Sequence, residues 1–133
     1  MNWKSLSLLA VLTLALSAPV WAHHSHGNYN MEVYTNLTGT IKEVHFLNPH
    51  SWIYLEVKSD DGKTVLWALE GTNPTGLRRT GWDLAAFKAG ITISARCHQL
   101  KDDSKGCLLG FITLDGVEKT FDYIPFTPLF NVT

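Results

Sequence analysis

Cysteine is scarce in this chain. Cys97 and Cys107 are the only two in 133 residues, so no disulfide framework beyond a single bridge is open to it. Charge of one sign is missing as well. Eleven Lys and Arg stand against 12 Asp and Glu, for a formal net charge of −1. Without a basic excess to neutralise phosphates, nucleic acid is excluded as an expected partner. No charge run marks a polybasic membrane patch. No apolar run reaches the roughly 20 residues that a bilayer span requires. There are no internal repeats or low-complexity tracts. Three catalytic signatures are also absent: a nucleophile–base triad, a glycine-rich phosphate loop and paired catalytic carboxylates. Asp60-Asp61 and Asp102-Asp103 read as solvated turn residues. No enzymatic activity is therefore expected.

What is present begins with a three-part pattern. Lys4 puts a positive charge in the first five residues. An uncharged, mostly apolar run follows from Leu6 to Leu16. Ser17-Ala18-Pro19 breaks the run, and Val20-Trp21-Ala22 ends on small residues. This is the layout of a secretory signal, and residues 1–22 are expected to be removed. No cysteine lies there to accept a lipoprotein anchor. The expected destination is the bacterial periplasm. Residues 23–133 suit one small domain.

The remaining chain divides into a His-rich arm over 23–34, a β domain over 35–122 and an apolar tail over 123–133. Residues 37–41 alternate as a strand, and Lys42-Glu43 interrupts the pattern as a bulge would. Asn48-Pro49-His50-Ser51 forms a turn. In residues 52–58, Trp52, Tyr54 and Glu56 fall on one face and Ile53, Leu55 and Val57 on the other. Asp61-Gly62 turns the chain into a third strand over 64–70. Asn73, Pro74 and Arg78-Arg79 mark the cap, first turn and end of a short helix. Strands follow at 91–98, 108–114 and 117–121. A helix between the third and fourth of these strands is the order of an OB-fold. The expectation is an all-β, small antiparallel OB-like barrel of five to six strands, with a β-sandwich as the alternative.

Several stretches resemble the small exported bacterial proteins grouped as DUF6152. They are Ala22-His23-His24-Ser25, Leu37-Thr38-Gly39-Thr40-Ile41, Asn48-Pro49-His50-Ser51-Trp52-Ile53-Tyr54-Leu55, Trp67-Ala68-Leu69-Glu70-Gly71 and Leu77-Arg78-Arg79-Thr80-Gly81-Trp82. The resemblance implies an exported OB-like domain and brings no known activity with it.

Three of the six histidines, His23, His24 and His26, crowd the four positions after Ala22. Cleavage there gives His23 a free α-amine beside its imidazole, and the two nitrogens can close a chelate ring. Imidazole suits copper, zinc and nickel, and copper has the highest intrinsic affinity of the three. A third nitrogen would complete a histidine brace, and His50 at the barrel mouth is the candidate. A cut one residue later would instead put His26 third in the chain, in a Cu(II)- and Ni(II)-binding arrangement. The expected function is an exported copper-binding protein with a carriage or buffering role. Two alternatives stand beside it: a metal-independent ligand- or protein-binding module, and a histidine-brace copper oxidoreductase. The arm could also stay unligated or recognise a partner.

Other residues have their own pairs of readings. Cys97 and Cys107 either bridge two arms of a hairpin or offer thiolates beside His98. His45 reads as a half-buried strand residue. Trp52, Tyr54, Trp67 and Trp82, with Arg78 at the rim, either line a ligand face or pack structurally. Glu70 is expected to pair with Arg78-Arg79. The tail over 123–133 either packs on the domain or meets a protein partner.

Overall fold

The architecture comes from a computed structural model that describes residues 26–121. The signal region, His23, His24 and the tail over 123–133 lie outside the described residues. Six strands run in chain order: β1 (Thr35–His45), β2 (Ser51–Lys58), β3 (Thr64–Gly71), β4 (Thr92–Gln99), β5 (Gly106–Leu114) and β6 (Val117–Thr120). The one α-helix among the described residues, α1 (Pro74–Arg79), lies between β3 and β4, followed by a 3-10 turn at Leu84–Ala86. Asn73 caps the helix by accepting a hydrogen bond from the Gly76 amide at 2.8 Å.

Strands β1 to β5 close into an OB-like barrel. β1 pairs with β2 and β4, β2 with β3, β4 with β5, and β3 with β5. β6 is an extra strand paired to the far end of β5. The sheet is mixed, which corrects the expectation of a purely antiparallel barrel. The reason is parity. Five strands in a closed ring cannot alternate direction at every step, so one seam must be parallel. That seam is β3–β5, where Ala68, Leu69 and Glu70 face Gly106, Cys107 and Leu108.

Alternation decides what faces inward. Ile53 and Leu55 of β2 are buried, as are Trp67 and Leu69 of β3. They meet Leu37 and Ile41 of β1, Ile93 and Ala95 of β4, and Leu109 and Ile112 of β5. The bulge read at Lys42-Glu43 is present, since the β1–β2 register shifts between Ile41 and Glu43. One end of the barrel is filled by aromatic rings. Phe87 meets Trp82 at 5.1 Å and Phe121 at 5.4 Å between centroids, near edge-on. The Trp82 indole N–H donates to the Thr120 carbonyl at 2.7 Å.

Cys97 and Cys107 form a disulfide between β4 and β5, with Cα atoms 5.6 Å apart. The hairpin-bridge reading therefore holds, and neither sulfur is a thiolate ligand. Closing a loop of this length stabilises the fold by about 2–3 kcal/mol in the chain-entropy account.

Gly39 marks the tightest backbone approach of β1 to β2. A Cβ there would stand 2.3 Å from the Glu56 carbonyl oxygen and 3.0 Å from its carbon. Backbone in a paired strand cannot step aside cheaply. Gly39→Ala is expected to lower stability by about 1–3 kcal/mol, the usual cost of overpacking. Urea unfolding of both proteins measures it, and an unchanged midpoint would contradict the close packing.

Candidate functional site

The site is built on the segment that precedes β1. Residues 26–34, expected as an extended arm, are docked on the barrel. A 3-10 turn over His26–Asn28 opens the segment. Tyr29 then pairs with Leu100 just past β4. The Asn30 amide donates to the Gln99 carbonyl at 2.8 Å, and the Lys101 amide to the Asn28 carbonyl at 2.9 Å. The arm thus adds a few residues of sheet pairing beside the end of β4.

Two clamps hold it. The first is Tyr29, buried, with its hydroxyl donating to Glu70 Oε2 at 2.5 Å. Glu70 lies at the parallel seam, on β3. Its other oxygen, Oε1, faces His50 Nδ1 at 2.9 Å. A carboxylate can only accept, so Nδ1 carries the proton, and in the neutral ring the lone pair is on Nε2. Burial first, and then the hydrogen bond and charge of Glu70, push the Tyr29 phenol well above the ordinary tyrosine range.

The second clamp is at the other end of the arm. The carbonyls of Asn30 and Val33 converge on His98 Nδ1 at 3.1 and 2.9 Å. Both partners accept, so Nδ1 is the donor. The Tyr34 ring lies 4.2 Å from the His98 ring. The Arg96 guanidinium sits 5.1 Å from the Tyr34 centroid and 4.7 Å from that of Phe111. Glu118 holds the same guanidinium at 3.0 Å. His98 is buried by these contacts, and its role is to secure the arm.

The remaining expected site residues fall in different places. His26 is exposed at the start of the arm. His45 Nε2 is 2.6 Å from Glu43 Oε1, and its ring meets Tyr54 edge-on, so it is outside the Tyr29–Glu70–His50 chain. Trp67 and Trp82 are core residues, whereas Trp52 and Tyr54 are half-buried on the outer face of β2. The four aromatics therefore do not line one face. Arg78 and Arg79 are exposed on α1, and the Glu70 carboxylate goes to Tyr29 and His50. Among the described residues, no three His, Cys, Asp or Glu side chains gather closely enough to hold a metal ion. His26 and His50 do not make a complete site by themselves.

Sequence reasoning missed Tyr29, Met31 and Glu32. An open groove of about 580 Å³ runs along the arm, lined by His26, Tyr29, Asn30, Met31, Glu32 and Lys101. Its signal in the sequence is faint. It amounts to a histidine, a tyrosine, a methionine and a glutamate within seven residues of aperiodic chain.

Fold and site together define an OB-like barrel with a histidine-bearing arm clamped across its outer surface. The chain belongs to DUF6152, a family of unknown function, whose model matches residues 10–109. The matched stretch takes in the histidine cluster, both ends of the Tyr29–Glu70–His50 chain and the disulfide. A comparison with curated proteins gives no match.

Tyr29 gives the anchor an alkaline limit. A raised phenol favours the neutral ring in the folded state. Its contribution is intact below about pH 10, where a released tyrosine is also neutral. It is lost as pH climbs toward the higher folded value. Ultraviolet absorbance titration is expected to show one late-ionising tyrosine, absent from Tyr29→Phe. A wild-type titration without that late step would contradict the anchor.

Proposed function

We propose that this protein is an exported copper-binding module that carries or buffers the metal through its mature N-terminal histidines. His23, with its α-amine, and His24 supply the first nitrogens. His50 supplies one from the barrel. The observation that carries the proposal is the Tyr29–Glu70–His50 chain. It joins the histidine arm, through the same carboxylate that holds Tyr29, to a barrel histidine already oriented by that carboxylate. Histidines that bind metals commonly donate their second ring N–H to such a partner, which fixes the tautomer and raises the basicity of the ligating nitrogen.

The anchor also shortens the search. Tyr29 is six positions after His23, so the chain can carry the terminus no more than about 20 Å from the anchored Tyr29 backbone. Docking the arm turns a loose His-rich peptide into a tethered one. A ligand on the barrel then acts at high effective concentration. Neutral imidazole and a primary amine are the donor set on which copper outcompetes zinc and nickel.

The test uses protein that begins at His23, titrated calorimetrically with Cu(II). Expected is an affinity at least about tenfold above that of the free 23–34 peptide, with most of the gain lost in His50→Ala. Circular dichroism of the variant checks that the barrel persists. Equal affinities for protein and peptide would sink the proposal. Mass spectrometry of the exported protein is expected to find His23 as the first residue.

A further inference from the structure

The arm groove holds one residue that packing does not explain. Methionine is a core residue by habit, flexible and apolar. Met31 is instead 46% exposed. It is also one of only two methionines in the chain, and the other is Met1. If residues 1–22 are removed, Met31 is the only thioether that remains. It shares the groove with His26, and the backbone between them is held at Tyr29 by its pairing with Leu100 and its bond to Glu70.

We propose that Met31 and His26 form a soft binding pair for Cu(I) in this groove. The proposal deepens the copper reading above and rests on it. It gives the module a place for the reduced ion, distinct from the nitrogen-rich terminus that suits Cu(II). Soft thioether sulfur favours Cu(I), and imidazole is a copper ligand that can bind beside it. Hard divalent cations need several oxygen ligands, and the groove offers one carboxylate, Glu32. Glu32 and Lys101 are the two charged groups that line it, and their charges cancel. A monovalent cation therefore meets no net opposing charge there. Asn30 adds a polar wall, and the Tyr29 hydroxyl is already committed to Glu70. Both side chains are exposed, so the ion can enter and leave without unfolding the arm, as carriage requires.

The experiment competes Cu(I) against bicinchoninate under anaerobic conditions, using protein that begins at His23 and its Met31→Leu and His26→Ala variants. Leucine keeps the volume of an exposed side chain, so folding is not at issue. Expected is a loss of Cu(I) affinity of at least about tenfold in Met31→Leu, with Cu(II) affinity unchanged. X-ray absorption of the Cu(I) protein is expected to show sulfur scattering that Met31→Leu lacks. Equal Cu(I) affinities, or no sulfur shell in the wild type, would overturn the pair. The two failures are separable. If Cu(II) binds as proposed but Met31→Leu leaves Cu(I) untouched, the groove pair fails and the terminal site stands. If Met31→Leu weakens Cu(I) while Cu(II) binds no better than to the free peptide, the groove pair stands and the terminal site fails.

Discussion

The structure depends on closing five strands into a ring. An odd ring forces one parallel seam, and the chain puts that seam between the end of β3 and the start of β5. Much of the chemistry gathers there. Leu69 and Cys107 face each other across the seam, and Cys107 is bridged to Cys97 on β4. Glu70 and Leu108 are the next pair along, and Glu70 receives both Tyr29 and His50. The disulfide thus ties β4 to β5 one residue from the point where the acidic anchor stands. A looser seam would let Glu70 drift relative to β4, along which the arm pairs.

The Glu70 carboxylate is where the competing costs are settled. A largely buried carboxylate is expensive unless its oxygens are satisfied. Tyr29 and His50 each give it one charge-assisted hydrogen bond, the stronger kind. The same arrangement orients His50 and pins the arm, so satisfying one acidic group performs two positioning tasks. Arginine from α1 would have satisfied the charge equally well but would have oriented nothing. Arg78 and Arg79 stay exposed on the helix instead.

The barrel was largely legible in the sequence because its signals are local. Alternation in β2, the Asp61-Gly62 turn, the Asn73 cap and the Lys42-Glu43 bulge each act within a few residues. The parallel seam was not legible, because it follows from how many strands close the ring rather than from any one strand's pattern. The two readings of the aromatics, ligand face or structural packing, could not be separated in the sequence for a related reason. Trp52 and Tyr54 alternate against the core residues Ile53 and Leu55, whereas Trp67 pairs with Leu55 across the ladder and turns inward with it. The arm itself was legible, but its docking on the barrel was not. Its residues have no period, and the groups that receive them, Glu70, His98 and Leu100, lie some 40 to 70 residues further on.

That separation bears on how the arm can act. The clamps take one ring at each end, Tyr29 and Tyr34, and between them His98 takes main-chain carbonyls. Holding an arm by its backbone leaves the side chains between the clamps available. Met31 and Glu32 are those side chains, and His26 stands just outside the first clamp. A segment meant only to seal the sheet would turn its apolar residues inward and finish with the barrel. This one buries Tyr29 and presents a thioether and an imidazole to solvent on a fixed track. Fixing the backbone lowers the entropy that two such groups would lose on binding a common ion, as the proposed pair requires. The anchor at the seam therefore accounts for the barrel's hold on the arm and for the chemistry the arm can offer.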